Sequence, residues 1–127
     1  MKHLFFLFSI ALLSFTACKK TDKETKVDVK VTDPLGVPQS NITVYQISDY
    51  KYQTFGADVS FRDHQNITAS DGIASFIIKE VDYIASEKNT YHFFCNYTTG
   101  NNHTIKTAVQ SVTIKKGDSR TITLKLN

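Results

Sequence analysis

The chain has 127 residues, a formal net charge of +3 and 41% hydrophobic residues. That length suits one folded domain rather than two. A charge so nearly balanced, and scattered rather than striped, argues against a nucleic-acid partner.

The N-terminal stretch is not part of a fold. Met1-Lys2-His3 is a short basic start, Leu4 to Phe15 is almost wholly apolar, and Thr16-Ala17-Cys18 supplies small residues before Lys19-Lys20. The apolar run is about half of the roughly 20 residues that a membrane-spanning helix needs. A charged start, a short apolar core and small residues read as a secretory signal over residues 1–17. The position of Cys18 resembles the lipobox of bacterial lipoproteins, although Phe15 stands where Leu is usual. The resemblance implies cleavage before Cys18, lipid on its thiol, and a place in the cell envelope, on the outer membrane, at its periplasmic or surface face. Two or three acyl chains would hold a protein stably, whereas one chain binds only marginally. Residues 18–25 then form a lipidated cysteine and a polar tether, because Lys19 to Thr25 contains nothing to bury.

The domain is expected over residues 26–127. Val27, Val29 and Val31 alternate with Asp28, Lys30 and Thr32, the period of a strand with one dry face. Pro34, Gly36 and Pro38 punctuate the connection to a second strand near Asn41 to Ile47, and the two strands read as a hairpin. Ser48 to Gln65 is irregular, with a short strand expected near Val59 to Arg62 and pairing expected to continue over Asn66 to Ala69. Ser70-Asp71-Gly72 is a turn signal before a strand at Ile73 to Lys79. Glu80 to Lys88 has an ambiguous helical spacing, and Thr90 to Tyr97 is an aromatic strand. Thr104 to Ile114 alternates, but its phase shifts, which suggests a bulge near Gln110-Ser111. Ser119 to Leu126 closes the chain with Ile122, Leu124 and Leu126 on one face. About seven short strands without a long helical period predict an all-β, two-sheet antiparallel sandwich.

Three segments carry a second resemblance. They are Val27-x-Val29-x-Val31-x-Asp33-x-x-Gly36-x-Pro38, then Thr68-x-x-Asp71-Gly72-x-Ala74-x-Phe76, then a final Ile/Leu strand after Gly117-Asp118. Together they resemble the carboxypeptidase regulatory-like domains, a transthyretin-like (prealbumin-like) branch of the β-sandwiches. The resemblance implies an accessory, spacer or binding module. No cofactor is expected.

The residues offer little chemistry. His64, His92 and His103 fall in no HxH or HExxH arrangement, and no CxxC is present, so no metal site is expected. The C-terminus lacks the Tyr-Arg-Gly-Ser ending of transthyretin-like hydrolases. No catalytic residue is assigned, and a small hydrolase using His64 or His92 with an acid is the less favoured reading. Cys95 sits among aromatics and reads as a small buried hydrophobe. The candidate binding residues are Tyr50, Tyr52, Phe55 and Phe61, because aromatic rings offer large contact area to a protein or glycan partner. The alternative is that these rings cover an open end of the sandwich. A structural spacer pairing through an edge strand is a third reading.

Overall fold

The computed structural model describes residues 23–79, 88–100 and 103–127. The signal segment, Cys18, the tether up to residue 22 and nearly all of Glu80 to Lys88 lie outside the described residues. The elements run β1 Thr25–Thr32, β2 Thr43–Ser48, α1 Asp49–Phe55, a 3-10 turn Val59–Phe61, β3 His64–Ile67, β4 Ile73–Ile78, β5 Lys88–Thr99, β6 Thr104–Lys115 and β7 Ser119–Lys125. They form two sheets, ordered β4-β1-β7 and β3-β2-β5-β6. The expected all-β sandwich of seven strands is what the chain builds. Every pairing is antiparallel except that of β1 with β7, which is parallel.

The alternation drives this arrangement. Val27, Val29 and Val31 are fully buried on β1, and Ala74, Phe76 and Ile78 oppose the second sheet from β4. Val44, Tyr91, Phe93, Cys95 and Ile114 answer from that sheet, with Leu124 on β7. Phe76 meets Phe93 edge-on across the sandwich, with ring centroids 5.0 Å apart. Each fully buried residue of this size stabilises the fold by about 1.5–3 kcal/mol before chain entropy is counted.

β1 and β2 do not form the expected hairpin. β1 is the central strand of its sheet, with β4 on one edge and β7 on the other, so it has no edge left for β2. The connection instead carries the chain across to the other sheet. The Asp33 carboxylate accepts the N–H groups of Leu35 at 2.9 Å and Val37 at 2.8 Å, which folds the segment out of the ladder. Pro34 and Pro38 supply no amide hydrogens to continue pairing, and only a single bridge, Thr32 to Pro38, joins the connection back to β1. The Asp71-Gly72 turn is as expected, and it lies against this crossing: the Gly72 carbonyl accepts the Val31 N–H at 2.8 Å. Gly72 has φ +76°, and an added Cβ would come within 2.8 Å of the Pro38 Cβ.

Two further expectations fail. Val59 to Phe61 is a 3-10 turn rather than a strand, because the Asp58 side chain accepts the Ser60 N–H at 2.8 Å and winds the backbone. The strand starts later, at His64, and β3 pairs with β2 in the sheet opposite β4, so the chain crosses again at Ala69 to Ile73. No bulge interrupts β6: it pairs with β5 in one continuous register from Lys88↔Lys115 to Thr99↔Thr104. The phase shift has another cause. Val112 and Ile114 face the core, while Ile105 and Val109 stand on the outer face of the sheet and remain exposed.

A candidate binding surface

The irregular stretch folds as a structured cap on β2. β2 runs directly into α1 through Ser48, whose backbone is extended at φ −67°, ψ 154°. Asp63 holds this junction from the far end of the segment. Its carboxylate accepts the Ser48 N–H at 2.7 Å and pairs with the Lys51 ammonium, while its own N–H donates to the Gln46 carbonyl at 2.7 Å. Gly56, at φ +71°, ends the helix and donates its N–H to the Tyr52 carbonyl at 2.8 Å.

α1 is docked on the outer face of the β2–β5 pair by His92. The His92 ring nitrogen Nε2 lies 2.7 Å from the Asp49 carboxylate, and Tyr52 stacks on the ring at 3.9 Å and 14°. His92 is 7% exposed, so its ring is set in the surface, while the Asp49 carboxylate stays about half exposed. The bond to His92, followed by one from the Gln53 amide, lowers the Asp49 carboxyl below its ordinary value.

The four aromatic candidates therefore do different things. Tyr52 is committed to His92. Phe55 and Phe61 stack on each other, with centroids 3.7 Å apart and planes within 5°, and clasp the turn between them. Phe55 keeps nearly half of its surface exposed, and Tyr50 projects from the helix at 73% exposure. The structure brings Phe55 to Phe61 and Tyr52 to His92, and leaves Tyr50 as the free knob. Asp49, Lys51, Asp63 and His92, which place these rings, carry no motif. The signal for the first three is the density of charged and aromatic residues between Ser48 and Gln65; His92 stands apart, in the aromatic run Tyr91 to Tyr97.

An Asp–His pair is also the start of hydrolytic chemistry. Here one ring nitrogen faces Asp49 and one ring face is covered by Tyr52. Ser111 stands directly opposite His92 on β6. Among the described residues, no three of His, Cys, Asp and Glu converge on a point that could hold a metal ion. Cys95 is buried in the core, and desolvation pushes its thiol up to about 11, so its place is that of a small apolar side chain. Compared with known proteins, the chain matches no family and no curated sequence.

Proposed function

We propose that this protein is a lipid-anchored, non-enzymatic component of the cell envelope. Its sandwich would serve as a binding or accessory module for a protein or glycan partner. Cys18, closing an apolar leader after Thr16 and Ala17, is the observation that carries the anchor. The projecting Tyr50, held on a short helix whose first turn is pinned by Asp63 and His92, supports the binding role. Rigid aromatic groups lose little entropy on contact, which is why they anchor interfaces.

The finer fold assignment, to the transthyretin-like, carboxypeptidase regulatory-like domains, belongs to the same proposal. It is supported by the Asp33 turn and the Asp71-Gly72 turn, where two of the resembling segments meet through Val31 and Gly72. Hydrolysis is the second reading, favoured only by the Asp49–His92 pair; it requires ester or amide turnover that His92→Gln abolishes.

Labelling with palmitate tests the anchor: the wild type should incorporate it and Cys18→Ser should not. A pull-down from membranes tests the surface. Changing Tyr50, Tyr52 and Phe55 to Ala should remove the captured partner, and an unchanged set of partners would dismiss the helix face.

A further inference from the structure

The two strands at the centre of the larger sheet are unequal in length. The β2–β5 register ends at Tyr45↔Phe94, yet β5 continues to Thr99 with β6 as its only strand partner among the described residues. Where β2 departs, an open cleft of about 520 Å³ forms between β5 and the incoming end of the crossing segment. It lies beyond the end of β2 opposite to α1, so it is separate from the aromatic helix face. We infer that this cleft is a subsite for an uncharged saccharide of one or two rings.

The lining decides the class of ligand. Its polar members are Gln39, Asn96 and Thr98, all neutral, and no ionised side chain lines it. A phosphate or carboxylate placed there would lose water without gaining a counter-charge, which is strongly unfavourable. The two carboxamides are set in complementary senses. Thr107 donates its hydroxyl to Asn96 Oδ1 at 2.7 Å, which leaves the Asn96 NH2 to donate. Gln39 donates Nε2 to the Val37 carbonyl at 3.1 Å, which leaves Gln39 Oε1 to accept. A sugar hydroxyl is both donor and acceptor, so it can use both senses.

The remaining surface is apolar: Ile42, Ile105, Leu126 and the Tyr97 ring. These suit the C–H faces of a pyranose. The Tyr97 hydroxyl accepts the Asn127 N–H at 3.0 Å, which fixes the ring before any ligand arrives. The volume falls within the roughly 300–1,000 Å³ of small-molecule sites. Length separates a sugar from a peptide strand. The lining on β5 runs only from Asn96 to Thr98, and at about 3.4 Å per residue that spans roughly 7 Å. This is too short to pair an added strand along several residues, but it matches one or two sugar rings.

The inference deepens the binding-module reading and rests on it, and its test does not depend on the anchor or on Tyr50. The isotopically labelled full chain, kept in detergent, is titrated with maltose, cellobiose and diacetylchitobiose while backbone amide resonances are followed. An open site of this kind predicts a Kd on the order of 1 mM. Shifts should cluster at Ile42, Asn96 to Thr98, Ile105 and Leu126, and sialyllactose should produce none there. Asn96→Ala should weaken binding about tenfold, the equivalent of roughly one hydrogen bond. Ile105 is 71% exposed, so Ile105→Gln should leave the melting temperature unchanged and still weaken binding. The proposal is overturned if none of the three sugars moves these amides at about ten times that Kd. Shifts gathered around Tyr50, or a response of the cleft to an uncharged extended pentapeptide and not to sugars, would overturn it too. In any of these outcomes, a partner lost with the Tyr50 variants would leave the broader binding role standing.

Discussion

Among the described residues, Gln46 is the one buried polar side chain left without a hydrogen-bond partner, and replacing it should make the protein more stable. It shares the inward phase of β2 with Val44 and lies opposite the core residue Phe93 in the β2–β5 register. It is 1% exposed, and neither its Oε1 nor its Nε2 has a hydrogen-bond partner. A buried polar group left unpaired costs about 1–3 kcal/mol. Methionine has nearly the same length and shape, carries no group that demands a bond, and adapts to irregular space. Gln46→Met should therefore raise the unfolding free energy by about 1–3 kcal/mol. For a domain of this size each kcal/mol is roughly 4–8 °C in Tm. The assay is urea unfolding of the two proteins side by side. The midpoint should rise while the slope stays constant, since the surface exposed on unfolding does not change. Gln46→Ala, which leaves a cavity, should fall below Gln46→Met, so that removal of the amide is separated from loss of packing. A Met variant less stable than wild type by 1 kcal/mol or so would refute the reasoning, because it would mean that the amide is bonded, through a buried water for example.

Four other perturbations follow from the structure. Gly72→Ala meets both a φ of +76° and backbone atoms at 3.0 Å from Gln39 and Val31, so it should destabilise the fold by about 2 kcal/mol or more. Gly36→Ala, at φ +86° with open space around it, should lose only about 1 kcal/mol, and thermal melts of the two variants measure the difference. The Asp49 carboxyl is lowered by its bond to His92, so its contribution is present above the ordinary carboxyl range and disappears as pH falls through the lowered value. The stability gap between wild type and Asp49→Asn should accordingly be constant at pH 6 to 5 and close in acid, as urea titrations at stepped pH would show. Cys95, with its thiol pushed up to about 11 in a buried site, should resist iodoacetamide in the native protein at pH 8 and react promptly once urea unfolds it.

What could be read in advance follows how local each cause is. The strand at Val27 to Val31, the aromatic strand around Phe93 and the closing strand at Ile122 to Leu124 each announce themselves by period two, because one buried face is a property of the strand itself. Partner choice is not such a property. Whether β1 pairs with β2 or with β4 and β7 depends on which edges distant segments occupy, and nothing in Val27 to Thr32 records that. α1 was invisible for a related reason. Seven residues without an apolar repeat cannot form a helix alone, and this one stands because Asp63 and His92, 15 and 43 residues along the chain from their respective partners Ser48 and Asp49, hold its first turn.

The apparent bulge in β6 has the same lesson in reverse. Ile105 and Val109 broke the pattern because they are apolar where polar residues were expected, on the outer face, beside β5. Phe94 on that face is fully buried next to Tyr45, with centroids 5.3 Å apart, so the outer side of this sheet is itself partly a dry surface. A strand with an apolar residue on each face yields no single period, and a reader of sequence assigns a kink where the chain runs straight. The four aromatic residues of the loop divide by their contacts. Tyr52, Phe55 and Phe61 are absorbed by contacts to His92 and to each other, and Tyr50 stays outside them because its position on the helix points away from both. Its exposure is thus a consequence of where the helix is pinned. Releasing the helix by His92→Ala should scatter Tyr50 over many positions, and any partner that reads it as a fixed anchor should bind the variant more weakly, although the His92 ring itself lies under Tyr52.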